Sequence, residues 1–158
     1  MSDATNRTPT TRLAARILLL DAANRLLLMQ ACDPRGLLFW VAPGGGLDAG
    51  ETFEVAARRE LYEETGQLIA IGPCVWTRRH SYLWNDRQFD QAERYFMART
   101  TSEQVKPMKL DDYIVGYRWW SLDEITASTE IFAPRQLARF LSPLLAGGVP
   151  SEPIDCGV

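Results

Sequence analysis

Apolar runs separated by short polar or Gly- and Pro-containing segments make up most of the chain, and this pattern predicts a protein rich in strands. The first two runs flank Asp21-Ala22-Ala23-Asn24, which predicts a β-hairpin, and the two longest runs are joined in the same way through residues 85–87. Strands are expected at residues 13–20, 25–31, 37–42, 68–71, 75–84, 89–100 and 114–120.

Three segments carry helix signals. The longest begins after Thr52, a candidate N-cap, and ends at Gly66, which occupies the C′ position. A short helix is predicted after Ser121, because Glu124 three residues later completes a capping box. An amphipathic helix is expected over Pro134–Leu145. Strands before and after the first helix predict a mixed sheet flanked by helices.

The first helix carries three glutamates on one face. Glu60, Glu63 and Glu64 have the i, i+3, i+4 spacing, and at about 100° per residue they point in the same direction as Phe53 and Ala57. A solvated charge run would lie opposite the apolar residues. Clustered carboxylates repel one another by roughly 0.2–0.5 kcal/mol per pair, and a hard divalent cation relieves that repulsion. The sequence therefore predicts a site for Mg²⁺, with Mn²⁺ as the alternative.

A glycine-rich segment precedes this helix. Pro43-Gly44-Gly45-Gly46 predicts a turn whose backbone can approach a ligand closely and offer N–H groups to it.

Together these features resemble the signature motif of the Nudix hydrolases. The positions that match the fixed residues of that motif are Gly45, Glu51, Arg59, Glu60, Glu63, Glu64 and Gly66. One position departs, because Gln67 stands where the family usually has an aliphatic residue, although Leu68 follows at once and the next strand is expected to start normally.

The resemblance implies a fold and an activity. The fold is the Nudix-type α/β/α sandwich with a mixed central sheet. The activity is metal-dependent hydrolysis, by water attack at phosphorus, of a nucleoside diphosphate linked to another group. Glu60, Glu63 and Glu64 are implied to bind metal together with Gly45, and Arg59 to pair with Glu51 and orient them. The glutamate that serves as general base stays open, with Glu93 as a further candidate.

The long hairpin contributes further candidates. Glu93 alternates onto a largely apolar side of its strand, which suggests either a metal ligand or an ion pair with Arg78 or Arg79 across the hairpin. On the other strand, the residues that share one side are Trp76, Arg78, His80, Tyr82 and Trp84. Arg78, His80 and Trp84 are the predicted nucleotide contacts, since aromatic rings stack on bases and arginines bind phosphates. A homodimer surface or plain sheet packing are the alternatives. The aromatic residues of 117–120 are expected in the core.

Length and composition limit the remaining possibilities. The 158 residues suit one domain, assigned to residues 12–146, with a flexible tail at 1–11 and another at 147–158. A net charge of −3 argues against a surface that coats nucleic acid. No apolar run is long enough to span a membrane, and three cysteines without a CxxC pair suit a reducing, cytoplasmic setting.

The substrate stays open between a nucleoside triphosphate, a dinucleotide and a nucleotide sugar. Tyr82 lies at the near edge of the window where some diadenosine polyphosphate and ADP-ribose subfamilies of this family carry a Pro or Tyr. Two other functions on the same fold are a nucleotide-sensing module without catalysis and an isoprenyl diphosphate isomerase. The intact motif argues against both.

Overall fold

The computed structural model describes residues 10–158, in which the chain forms nine strands and three helices. In chain order the elements are β1 (Thr11–Leu20), β2 (Leu26–Cys32), β3 (Leu38–Val41), β4 (Gly44–Gly46), α1 (Phe53–Thr65), β5 (Cys74–Trp84), β6 (Arg87–Arg99), β7 (Ile114–Trp120), α2 (Leu122–Ala127), β8 (Phe132–Ala133), α3 (Leu137–Leu145) and β9 (Ile154–Asp155).

The strands form one mixed sheet with helices on both faces, which confirms the predicted α/β/α architecture. Its main path runs β8-β3-β2-β1-β6-β5-β9, with β4 beside β1 and β7 beside β2. One core cluster contains Ala57 and Leu61 of α1, and the other contains Ile125 of α2 and Leu141 of α3. The helices therefore cover opposite faces of the sheet.

Strand β1 is the centre of this arrangement. It runs parallel to β6 over ten residue pairs, from Thr11↔Asp90 to Leu20↔Arg99, and antiparallel to β4 on the other side. Its apolar side chains alternate between the two core clusters: Leu18 joins one and Ile17 joins the other. Burial on both faces explains why β1 ends in the continuous apolar run Ile17–Leu20.

The second predicted hairpin and the capping box are confirmed. Strands β5 and β6 pair antiparallel through a turn in which Asn85 and Asp86 adopt φ of 51° and 61°. This left-handed geometry is typical of two-residue hairpin turns and suits Asn and Asp. The side chain of Ser121 accepts a hydrogen bond from Glu124 N, and the Glu124 side chain accepts one from Ser121 N.

Two predictions about strands near the motif were wrong. Gly44–Gly46 is a strand rather than a turn, because its backbone pairs antiparallel with β1. The glycines lack side chains, so the two strands can lie close together. Residues 68–71 form no strand, and Leu68 is 73% exposed. The Gln67 side chain instead donates to the carbonyls of Ser102 and Gln104, so the polar residue at this motif position ties the chain to a loop.

Other predictions also need correction. The first hairpin pairs β1 with β2 at a single position, Leu20↔Leu26, because β1 takes β6 and β4 as partners. Residues 154–155 of the predicted C-terminal tail form β9, which pairs with β5. The predicted N-terminal tail falls mostly outside the described residues, and Thr11 already begins β1. Tyr117 is exposed rather than in the core, whereas Trp120 of the same predicted aromatic group is buried. No helix within residues 10–158 has the length and apolar character needed to cross a membrane.

The close approach of β4 to β1 gives a testable prediction. A Cβ atom at Gly44, where φ is 146°, would lie 2.0 Å from the carbonyl oxygen of Ala15. Gly44→Ala is therefore expected to lower the free energy of unfolding by about 3 kcal/mol or more, at the upper end for overpacking. At Gly50, where φ is 80° and no atom lies within 4 Å of the added carbon, alanine is expected to cost about 1–2 kcal/mol. Urea denaturation of both variants measures the difference, and equal losses would contradict the clash.

Candidate active site

Helix α1 is fixed at both ends. The Thr52 hydroxyl accepts a hydrogen bond from Val55 N at 3.2 Å, and Gly66, with φ of 75°, donates its N–H to Tyr62 O at 2.8 Å. Both caps were predicted and both are confirmed. The loop after β6 adds a further restraint, because Met108 N donates to the carbonyl of Glu63 at 2.7 Å. The last turn of α1 is thus held in place from outside the helix.

The predicted glutamate face is also present. Glu60 and Glu64 are buried at 9% and 3% exposure, beside the buried alanines and leucine of the same helix. Glu63 lies at the edge of this face with its side chain 27% exposed. Val55 and Tyr62 point to solvent, as the helical spacing predicted.

Arg59 ties this face to the loop before the helix. Its Nε and Nη2 each donate to one carboxylate oxygen of Glu51 at 2.9 Å, a two-pronged ion pair that holds the pKa of Glu51 below its ordinary value. Nη2 also donates to the carbonyl of Gly46 at 3.0 Å. Nη1 donates to Glu60 at 3.1 Å and to Glu63 at 3.2 Å. The Arg59–Glu51 pair that the resemblance implied is thus present, and it orients two of the three glutamates.

The glycines of β4 contact the other side of the glutamates. Gly44 N donates to Glu64 Oε2 at 2.9 Å. A Cβ atom on Gly45 would lie only 2.6 Å from Glu60 Oε1, so the absence of a side chain there lets the carboxylate pack against the strand. Glycine is therefore required where the backbone meets the acidic cluster.

The buried carboxylates have the electrostatics of a cation site. Burial, followed by repulsion from Glu60, raises the pKa of Glu64 to about 8, and burial likewise raises the pKa of Glu60. Within residues 10–158, no three acidic, histidine or cysteine side chains are already arranged around one ion position, and Arg59 contacts oxygens of Glu60 and Glu63. The donors nevertheless fit a hard divalent cation: all are oxygens, and added positive charge would offset the cost of burying them.

Glu93 forms an ion pair with Arg78 across the hairpin, which was one of the two roles predicted for it. Arg16 Nε donates to one of its oxygens and Arg78 Nη1 to the other, each at 2.7 Å. Burial alone would raise the pKa of Glu93, but Arg16, His80 and Arg78 outweigh it and hold that pKa well below its ordinary value. Glu93 also shares its side of β6 with Tyr95, which packs into the core cluster under α2 and α3, whereas α1 covers the other face. Glu93 is thus held by Arg16 and Arg78, whereas the α1 glutamates are held by Arg59 and by Gly44 N.

A pocket of about 370 Å³ lies against the β5–β6 hairpin. Its lining includes four arginines and six aromatic or imidazole rings: Arg12, Arg16, Arg35, Arg78, Phe39, His80, Tyr82, Trp84, Phe89 and Tyr113. The three predicted nucleotide contacts, Arg78, His80 and Trp84, are among them. Trp76 of the same predicted face is not, because it is buried in the core against Tyr95 and Phe140.

Gly45 connects the two parts of the site, since it lines the pocket and also contacts Glu60.

A family model described as NUDIX domain matches residues 10–141. The chain belongs to the Nudix family.

Individual relatives support this assignment. The Nudix chain is 32% identical over 124 residues to the RNA pyrophosphohydrolase of Rickettsia bellii (strain OSU 85-389), an alignment that covers 69% of this chain and 74% of the relative. The MutT protein of Methanosarcina mazei Go1 superposes with a TM-score of 0.67 at 18% identity, over 90% of this chain and 99% of the other. An Ap4A hydrolase of C. elegans superposes with a TM-score of 0.61 at 25% identity, over 87% and 99%. The protein is a Nudix hydrolase, and hydrolysis of pyrophosphate linkages is the activity that these comparisons support.

Two residues that contact or influence the Nudix motif were not predicted from the sequence. Arg16 lines the pocket and donates from Nη1 to the carbonyls of Ala42 and Gly44, each at 3.2 Å. Asp111, in the loop before β7, lies close enough to Glu64 to raise its pKa further. The one available signal for Arg16 was a cation inside the apolar run of β1, where a buried charge is costly without partners.

The raised pKa of Glu64 predicts how the metal-free Nudix domain responds to pH. Below the ordinary value of 4.5 the side chain is protonated in both states, and between 4.5 and about 8 the unfolded chain releases a proton that the folded chain keeps. The folded state therefore loses stability as pH rises through this window, by at most about 1.4 kcal/mol per pH unit. Glu64→Gln has no such proton and should gain stability relative to the parent between pH 5 and pH 8.

Urea denaturation in EDTA at both pH values measures this difference. The exposed Glu54, in the first turn of the same helix, provides the matched control Glu54→Gln, which should follow the parent curve. Parallel curves for the parent and Glu64→Gln would show that Glu64 is ionised in both states and would contradict the prediction.

Proposed function

We propose that the chain catalyses the divalent-metal-dependent hydrolysis of a diphosphate linkage in a nucleotide-type substrate. The observation that carries the proposal is the position of Gly45, whose backbone packs against the buried carboxylate of Glu60 and lines the pocket of arginines and aromatic rings. A phosphate chain bound in that pocket would lie next to the acidic face of α1.

In this proposal Glu60, Glu63 and Glu64 hold the ion together with the backbone of Gly45, and Mg²⁺ is the proposed ion, with Mn²⁺ able to replace it. A bound divalent ion supplies charge stabilisation at phosphorus and lowers the pKa of a coordinated water. Glu93 is left out of the ligand set, because both of its oxygens already accept hydrogen bonds from arginines.

The chain's own residues orient the reacting groups. Arg59 holds Glu60 and Glu63, and Gly44 N holds Glu64, so each glutamate has a defined direction before substrate binds. The general base is proposed to be one of these three glutamates. A carboxylate with a strongly lowered pKa is a weak proton acceptor, which disfavours Glu93 in this role.

The pocket suits a substrate with several phosphates and at least one base. Its arginines are matched to phosphate oxygens, and its rings provide surfaces for stacking. A second cavity of about 270 Å³ shares Asp33, Arg35 and Leu83 with the first, which leaves room for a group beyond one nucleotide. Nucleoside triphosphates, dinucleotides and nucleotide sugars are therefore the proposed substrates, and the similarity to an RNA pyrophosphohydrolase adds RNA to them. The three free cysteines agree with action in the cytoplasm.

A substrate panel tests the activity directly. The purified chain is incubated with Mg²⁺ or Mn²⁺ and with nucleoside triphosphates, dinucleoside polyphosphates, nucleotide sugars and 5′-triphosphorylated RNA, and the release of phosphate, pyrophosphate and nucleotides is measured. Metal-dependent hydrolysis of at least one compound is expected. Nucleotide binding without hydrolysis under either ion would replace the proposal with a nucleotide-sensing function.

Glu64→Gln is the sharpest test of the metal face. The change keeps the shape of the side chain and its helix propensity but removes a proposed ligand. Metal catalysis contributes several kcal/mol and each 1.36 kcal/mol is tenfold in rate, so kcat on the best substrate should fall by roughly 10²-fold or more. Glu54→Gln should leave kcat within a few-fold of the parent. Undiminished kcat in Glu64→Gln would show that this face does not bind the catalytic ion.

Trp84 tests the pocket. Its ring lies 5.4 Å from that of Tyr113 in an edge-to-face pair, and both rings line the cavity. Stacking on a base is worth about 1–3 kcal/mol, so Trp84→Ala should raise KM about tenfold while the protein stays folded. Tyr117→Ala removes an exposed ring outside the pocket and should leave KM unchanged. If Trp84→Ala and Tyr117→Ala have equal KM values and both keep the melting temperature of the parent, the nucleotide base does not stack on Trp84.

A further inference from the structure

The C-terminal residues return to the pocket after the family match has ended. The match stops at residue 141, yet β9 pairs in parallel with β5 through Trp76↔Ile154 and Thr77↔Asp155. Cys156 N then donates to the carbonyl of Thr77 at 3.0 Å. This segment adds a strand beside the one that carries the pocket residues of the hairpin.

The segment is anchored rather than loosely attached. Cys156 is 2% exposed and belongs to the core cluster that contains Trp76 and Tyr95. Gly157 N donates to Asp155 Oδ1 at 2.9 Å, and Arg135 N donates to the carbonyl of Val158 at 3.2 Å. Burial of one side chain and hydrogen bonds on both sides of it fix the position of the Gly157 carbonyl.

That carbonyl accepts a hydrogen bond from a pocket arginine. Arg78 Nε donates to Gly157 O at 3.0 Å, while Arg78 Nη1 donates to Glu93 at 2.7 Å and lies 2.9 Å from His80 Nε2. Arg78 is only 7% exposed, and it lines the pocket together with His80. The orientation of its guanidinium is therefore set by two acceptors, the Gly157 carbonyl at Nε and the Glu93 carboxylate at Nη1.

We propose that residues 154–157 are a positioning element of the substrate pocket, in which the Gly157 carbonyl sets the orientation of Arg78 toward bound phosphate. The inference rests on the proposed function, because it assigns Arg78 to a nucleotide. Without this acceptor, a buried and charged N–H group would be left unsatisfied, and Arg78 would turn to find another partner. His80, stacked on Tyr82 at 5.0 Å between ring centres, would lose its fixed neighbour in the same step.

A truncation and a full-length control separate positioning from simple packing. A chain that ends at Cys156, with its new terminus amidated so that no charge is added, keeps β9 and the buried Cys156 but loses the Gly157 carbonyl. The control Val158→Ala keeps both that carbonyl and the Val158 backbone acceptor of Arg135. The first should weaken the binding of ADP and ATP about tenfold, the size of one charge-assisted hydrogen bond, and raise KM equally with kcat within about threefold. The second should match the parent in all three quantities.

Arg78→Lys provides an independent comparison, because lysine keeps the charge but has no Nε–H to donate to Gly157. It should weaken nucleotide binding by itself. Combined with the Cys156 truncation it should weaken binding little more than either change alone, since both remove the same hydrogen bond. Additive losses in this double-mutant cycle would overturn the proposal.

Hydrogen exchange at the Nε–H of Arg78, followed by NMR, reports on the contact without any turnover. Protection should be present in the parent and in Val158→Ala, and lost in the chain ending at Cys156. Lost protection with unchanged nucleotide affinity would reduce the segment to a packing role and overturn the inference. If the parent protein binds nucleotides but hydrolyses no nucleotide, only the proposed function is overturned. The comparison of nucleotide affinities would still test the positioning role of residues 154–157.

Discussion

The buried ion pairs of Glu93 with Arg16 and Arg78 join the parts of this molecule that matter for its chemistry. Each guanidinium donates to a different oxygen of the carboxylate at 2.7 Å, so the charge is shared between β1, β5 and β6. Removing one partner of such a cluster leaves a buried charge without compensation, which is far costlier than the loss of a surface pair. Arg16 also holds the carbonyl of Gly44, whose N–H in turn holds Glu64. The pocket wall and the acidic face of α1 are thus linked by consecutive polar contacts.

Features with local causes could be predicted from the sequence. The bounds of α1 followed from Thr52 and Gly66, because caps act on the turn next to them. The burial of Glu60 and Glu64 followed from helical spacing alone. The β5–β6 hairpin followed from two long runs around a short polar turn. In each case the residues that decide the structure are close together in the chain.

Features that depend on distant partners could not be predicted. Gly44–Gly46 forms a strand only because β1 lies beside it, and Glu93 is neutralised partly by Arg16, which is 77 residues away. Periodicity records which side of a strand is buried, but not which strand lies next to it. The same limit explains why residues 154–155 were expected in a tail, since their partner is β5. Asp111 comes near Glu64 through the path of a loop, for which the sequence offers no spacing rule.

The pairing of β1 with β6 has a consequence for how the protein is made. Thr11 and Asp90 are neighbours in the sheet although 79 residues separate them, and helix α1 lies between them in sequence. Contacts between distant parts of a chain require a large loop to close before they stabilise anything, so such topologies fold slowly. During synthesis the ten β1 positions that pair with β6 have no such partner until β6 has emerged from the ribosome. Until then, the β1 side chains that later enter the two core clusters are open to association with other chains.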